Sequence, residues 1–301
     1  MDFSKIPILI LFIITLVCAV ANSNFKAYYI KKSLRNESEQ YSLNAGISLV
    51  CALTLFLLNG CRIQASWYSV LLGLGFGIVT MGSTLFQAKA VKIGPFGYTS
   101  VIISLSTAIT ALSGALFWNE TLNAFKIIGI ALMLVSFFFA IDTENKNGKK
   151  ANIKWFLLCL FALLTCALIG LMQKIHQSSQ YKNESTAFLF VAFLTSAVIS
   201  FVGYIFIKKR EKGMDDFEVP SKSLQSFFIA LIVCGIGTAG NNVLNLYLSG
   251  VTDTAIFFPI VNGVPLLASL IVSFLIFKEK LKKKQLIGLS IGIIAIVCLC
   301  I

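Results

Sequence analysis

Apolar residues in this chain come in long unbroken blocks separated by short polar connections. Ten blocks can be placed: Ile6–Phe25, Leu43–Gly60, Trp67–Ala88, Phe96–Trp118, Ala124–Ile141, Trp155–Met172, Ala187–Ile207, Phe227–Leu248, Ala255–Phe277 and Leu286–Ile301. Stretches of about 20 apolar residues predict helices that cross a bilayer. Barrel strands would alternate apolar and polar over about 10 residues. Ile6–Val20 shows no such alternation, as expected of a helix that satisfies its own backbone in lipid. The expected fold class is an all-α integral membrane protein with ten transmembrane helices.

The pattern repeats. Gly77, Ile78, Thr80 and Gly82 recur as Gly235, Ile236, Thr238 and Gly240, a shift of 158 (235 − 77). Glu120 and Leu122 recur as Glu279 and Leu281, and Ile128-Gly129 as Ile287-Gly288, at a shift of 159 (279 − 120). Residues 1–141 and 153–301 therefore read as two copies joined by a polar linker, 142–152. Each copy holds five apolar blocks. Five is odd, so the second copy enters the membrane upside down relative to the first, the arrangement of inverted-repeat transporters.

Composition adds little to class but something to topology. Charged residues are only 13% of the chain, against about a quarter in soluble domains. The net charge of +12 would suit nucleic acid or anionic lipid. The basic residues, however, cluster after the first, third, fifth, seventh and ninth blocks, as in Lys31-Lys32 and Lys208-Lys209-Arg210. The positive-inside rule places those connections in the cytoplasm and both termini outside, in a plasma membrane. No basic stripe interleaved with aromatics signals nucleic acid. Trp67, Trp118 and Trp155 stand at block ends, where amphipathic rings favour the interface. Lys5, the apolar run after it and Ala19-Val20-Ala21 also resemble a cleaved leader, but cleavage would leave one copy a helix short. The eight cysteines form no CxxC pair and read as small apolar fillers; no metal or cofactor is expected.

Polar side chains inside the blocks mark candidate chemistry. In the third block Thr80, Thr84 and Gln87 fall at i, i+4, i+7, one helical face. Thr238, Asn242 and Asn245 occupy the equivalent places in the eighth block, beside Asn241. Buried amides without partners are costly in hydrocarbon, so these stripes face a substrate cavity or bond between helices. Asn262 lies between Pro259 and Pro265, where prolines free carbonyls and bend the helix. Tyr98 could stack on a substrate or anchor the interface. Ser104, Ser106, Thr107, Thr110 and Ser113 give the fourth block a polar content that packing alone could explain. Glu120 and Glu279 precede helix starts, where a carboxylate meets unpaired N–H groups; a structural role and proton coupling both fit. His176, the only histidine, falls at a block end and reads as solvated or interfacial. Lys26, Lys89 and Lys174 read as snorkelling to the interface or as a cationic cavity rim.

The two inverted five-helix copies and the run Pro265…Glu279-Lys280-Leu281…Ile287-Gly288 resemble the drug/metabolite transporter superfamily in its EamA-like branch. Glu120, Leu122, Ile128 and Gly129 fill the pattern in the first copy, where Ser106 stands in place of the proline that Pro265 supplies in the second. The resemblance implies a cavity between the copies, lined by the third, fourth, eighth and ninth helices. It also implies a monomeric carrier that exports a small polar metabolite, an amino acid or related compound, by alternating access. The coupling ion, proton or sodium, is left open. A membrane-embedded enzyme and a lipid flippase are the alternatives, but no HExxH, Ser–His pair or phosphate loop appears.

Overall fold

The computed structural model describes residues 6–33, 37–94, 96–140, 152–211, 224–276 and 283–301. These form α1 (Ile8–Ser33), α2 (Glu37–Leu58), α3 (Trp67–Ile93), α4 (Phe96–Ser104), α5 (Ser106–Phe117), α6 (Ala124–Ala140), α7 (Ile153–Gln177), α8 (Ser185–Glu211), α9 (Leu224–Val251), α10 (Thr254–Ile276) and α11 (Lys283–Leu299). Among the described residues there is no strand. Several helices outrun their apolar blocks: α1 continues eight residues past Phe25 to Ser33 (33 − 25). Hydropathy marks the hydrocarbon layer, whereas backbone hydrogen bonding carries on into the headgroup region. Large apolar side chains stand exposed, such as Leu9 at 71%, Leu116 at 74% and Phe206 at 70%. Serine, threonine and glycine fill many buried places, as in helix bundles that meet lipid.

Seven helical stretches among the described residues are long and apolar enough to cross a membrane. α6 and α11 are 17 residues each, or about 26 Å, near the lower limit of a span. The protein is thus a multi-pass, all-helical membrane protein.

The fourth block is not one helix. It breaks at Leu105 into α4 and α5. Ser104 Oγ donates to the Val101 carbonyl at 2.7 Å. Leu105 N reaches Ile102 O at 3.2 Å, and Ala108 N reaches Leu105 O at 3.0 Å. These i→i+3 bonds tighten the backbone locally and interrupt the α ladder. α10 is assigned as one helix containing Pro259 and Pro265, while the fourth block, with no proline inside it, divides beside Ser106.

The chain separates into two compact units, and each draws on both sequence copies. Unit 1 contains α1, α2, α3 as far as Met81, the last two residues of α7, α8, and α9 as far as Tyr247. Its main seam joins α2 to α8. Across it, Ser48 Oγ and Ser196 Oγ lie 3.4 Å apart. The repeated glycines serve the same unit. A Cβ on Gly73 of α3 would meet the Phe188 carbonyl of α8 at 2.8 Å, and one on Gly77 would run into the Ala192 carbonyl. Gly235 of α9 lies as tightly against Val50 and Ile47 of α2.

Unit 2 contains α3 from Gly82, α4, α5, α6, α7 as far as Ile175, α9 from Leu248, α10 and α11. Its main seam joins α6 to α11, around Ile130, Met133, Phe137, Ala295 and Leu299. Both Ile-Gly glycines lie at this seam. A Cβ on Gly129 would meet Leu299 at 2.7 Å, and the Gly288 carbonyl accepts a 2.7 Å bond from Ser136 Oγ. Trp155, expected at the interface, is instead buried at 6% exposure. Its Nε1–H donates to Thr99 Oγ1 at 2.8 Å, which satisfies the one polar atom that would otherwise hold it at the surface.

Candidate functional site

Within unit 1 the polar face of α9 forms a connected cluster. Asn242 Nδ2 donates to the Thr238 carbonyl at 2.9 Å. Thr238 Oγ1 accepts from Asn22 Nδ2 of α1 at 3.1 Å. Gly237 admits this approach: a Cβ there would lie 3.1 Å from Asn22 Oδ1. The amide oxygens of Asn22, Asn241 and Asn245 are buried and accept no hydrogen bond from the described residues. Thr80 is half-buried in the same unit.

Thr84, Gln87, Tyr98 and Asn262 belong to unit 2. Thr84 is half-buried, Gln87 is exposed and Tyr98 is 45% exposed. Asn262 Nδ2 donates to Thr107 Oγ1 of α5 at 3.2 Å. The hydroxyls of Thr110 and Ser113 turn back on their own helix. Thr110 Oγ1 donates to the Thr107 carbonyl at 3.0 Å and Ser113 Oγ to the Thr110 carbonyl at 2.6 Å. Of the nine sequence-chosen residues, the structure thus joins Thr238 to Asn242 directly and Asn262 to a neighbour outside the set.

Unit 2 also holds an ionic cluster. Glu120 Oε1 lies 2.8 Å from Lys174 Nζ, with both side chains largely buried. Glu120 Oε2 accepts from Thr254 N at 2.7 Å and Thr254 Oγ1 at 2.8 Å. The helix start it serves is α10, not the α6 that follows it in sequence; α6 is capped by Asn123, whose Oδ1 accepts from Lys126 N at 2.7 Å. Asn119 makes this fold-back possible with φ +52°, a left-handed conformation that asparagine tolerates. Gly114 leaves the room that the carboxylate fills. Lys174 Nζ also donates to the Thr252 carbonyl at 3.2 Å. Lys174 therefore does not snorkel: it is 6% exposed because its charge is met inside. Lys126 pairs with Asp253 at 2.7 Å, where Asp253 is 43% exposed. Glu279 lies outside the described residues.

His176 is likewise not solvated; it is fully buried. Its ring stacks on Phe188 with centroids 4.4 Å apart, and its Nε2 lies 3.4 Å from Ser69 Oγ. Ser66 donates from N at 2.9 Å and from Oγ at 2.7 Å to Glu184 Oε2. This network ties the last turn of α7 to the starts of α3 and α8 within unit 1.

The comparison with protein families decides what this frame belongs to. Two copies of the EamA-like transporter family match, over residues 6–141 and 153–301. The chain belongs to the EamA-like transporter family. A relative of this family member is an uncharacterized protein of Haemophilus influenzae, 23% identical over 228 residues, covering 75% of this chain and 74% of that one. A solved crystal structure matches with a TM-score of 0.72 at 13% identity, covering 95% of this chain and 94% of that one; at that identity it speaks for the fold alone. Membership makes the protein a membrane transporter by family.

Sequence reasoning missed Asn22. Its signal was present, since Asn22-Ser23-Asn24 interrupts the first apolar block. The Glu120–Lys174 pair carried no such signal. Its partners are 54 residues apart (174 − 120) and each stands at a block end, where charge is ordinary.

Proposed function

We propose that the protein is a ten-span carrier of two inverted five-helix repeats that moves a small polar metabolite, an amino acid or related compound, outward across the plasma membrane by alternating access. The observation that carries this reading is the pair of equivalent polar stripes, Thr80/Thr84/Gln87 on α3 and Thr238/Asn242/Asn245 on α9. Two repeats that keep polar side chains in the same places within apolar helices keep them for a shared task, and a pathway across the membrane is such a task. Family membership supports a carrier over a membrane-embedded enzyme. The protein works as a monomer with a small-molecule substrate, driven by a proton or sodium gradient or by none.

Gln87→Ala and Asn245→Ala should each weaken substrate binding and transport in proteoliposomes while the protein stays folded. Loss of one good hydrogen bond is on the order of 1 kcal/mol, several-fold in affinity. Earlier melting with normal transport would assign both residues to helix packing and remove the stripes from the pathway.

The distribution of lysine and arginine supports both termini outside. A reporter active only in the cytoplasm, fused after Ile301, should be silent. An active fusion reverses the orientation and, with it, the side from which substrate enters.

A further inference from the structure

Asn22, Lys26 and Tyr29 fall at i, i+4, i+7 on α1, one face of the helix. That face meets α9 within unit 1. Asn22 bonds Thr238, and Tyr29 packs in the cluster of Ala230, Leu231 and Cys234. The two helices are therefore antiparallel here, and Lys26 stands about one turn from each contact. The group it interacts with across this seam is the Cys234 thiol, itself 1% exposed. Lys26 is half-buried and makes no hydrogen bond or ion pair with the described residues.

A charge drawn away from water is costly without a counter-charge. Lys174 and Lys126 have theirs, Glu120 at 2.8 Å and Asp253 at 2.7 Å. Lys26 has only a thiol, a weak acceptor that brings no charge. Snorkelling to the headgroups is obstructed on two counts. The Cα–Cβ bonds of a helix tilt toward its N-terminus, so the Lys26 stem sets out toward Asn22, away from the polar end of α1 at Lys31-Lys32. On α9, the apolar run Phe227–Val233 separates Cys234 from the polar start of the helix, a distance of about 10 Å.

We propose that Lys26 holds the anionic group, a carboxylate or phosphate, of the transported metabolite, so that the substrate supplies the counter-charge that the chain does not. The inference rests on the carrier reading above and narrows its substrate to compounds bearing such a group. The lysine ammonium offers three donors and no acceptor, which matches an ionised group that only accepts. An amine is repelled there, and a hydroxyl forgoes the charge assistance. In the orientation proposed above, Lys26 stands toward the cytoplasmic end of α1, where an exported substrate enters. An anionic lipid head is a second source of the same chemistry, and the test separates the two.

The test is accumulation in phosphatidylcholine proteoliposomes, together with thermal stabilisation of the purified protein. The panel is the standard amino acids, each beside its α-carboxamide, then glycerol 3-phosphate beside glycerol, and glucose. At least one anionic compound should be accumulated and raise the midpoint, and its neutralised partner should do neither. Lys26→Met should weaken that binding about ten-fold, the loss of one charge-assisted bond, and Lys26→Arg should keep most of it. Without ligand, Lys26→Met should melt no earlier than wild type, because it removes an unpaired charge. Equal binding of the neutralised partner overturns the proposal. So does normal binding by Lys26→Met, and so does earlier melting of that variant without ligand, which would make Lys26 a support of the fold. Phosphatidylglycerol added in detergent forms the lipid arm. If it raises the midpoint of wild type but not of Lys26→Met, while that variant transports normally, Lys26 holds a lipid head and the proposal falls. Proteoliposomes that accumulate only glucose, glycerol or carboxamides overturn the site and leave the carrier standing; proteoliposomes that accumulate none of the panel overturn both.

Discussion

Replacing Lys174 by methionine should cost the protein about 3–5 kcal/mol, the usual penalty for leaving a buried charge without its partner. Glu120 would keep its bonds from Thr254 N and Oγ1, and the start of α10 would still favour its negative charge, but only by about 0.3–2 kcal/mol. The lost partner, 2.8 Å away, outweighs that. Glu120→Gln should be costly for the converse reason, since Lys174 would then face only the Thr252 carbonyl. The double variant Glu120→Gln/Lys174→Met should recover much of the loss, because no unpaired charge remains. Lys126→Met is the contrast. Its partner Asp253 is 43% exposed, so removing Lys126 leaves a carboxylate that water can solvate, at a cost of about 0–1 kcal/mol. Denaturant unfolding of the four variants in detergent measures all of this. Additive losses in the double variant, or single losses no larger than that of Lys126→Met, would show that the pair is not a buried strut.

Periodicity made the helices legible because it reports burial in lipid, and lipid requires helical backbone wherever an apolar block crosses it. The repeat was legible because close packing leaves a residue trace. Gly77 and Gly235 each lie where a neighbouring helix leaves no room for a Cβ. The break at Leu105 was not legible. Ser104 bonds the Val101 carbonyl beside it, and serine in a helix more often does so without interrupting it. The burial of Lys174 and His176 was not legible either. A charge or an imidazole at the end of an apolar block is ordinarily wet, and only the tertiary arrival of Glu120 or of Phe188 and Ser69 makes it otherwise. For the candidate site the residue types were readable and their companions were not. Thr238 and Asn242 stood out by spacing, whereas the arrival of Asn22 from α1 depends on Gly237, whose lack of a side chain looks in sequence like any other small residue.

The repeated motif Gly-Ile-x-Thr-x-Gly should respond to alanine with opposite signs at its two ends. At the first glycine, a Cβ on Gly77 would run into the Ala192 carbonyl and Thr195 of α8. On Gly235 it would lie 2.5 Å from Val50 Cγ1 and 3.2 Å from the Ile47 carbonyl of α2. Backbone cannot swing aside, and β-branched side chains have few rotamers to offer. Forced apart, the helices should lose about 1–3 kcal/mol at each position. At the second glycine the surroundings differ. Nothing lies within 4 Å of a Cβ on Gly240, and the nearest atom to one on Gly82 is at 3.8 Å. There alanine meets ordinary contact or open space and removes glycine's entropy penalty, so Gly82→Ala and Gly240→Ala should be neutral or stabilise by up to about 1 kcal/mol. Unfolding midpoints of the four single variants decide the matter. Equal losses at all four positions would mean that the motif serves helix flexibility rather than contact between neighbouring helices, and the seams of α3 with α8 and of α9 with α2 would then need another explanation.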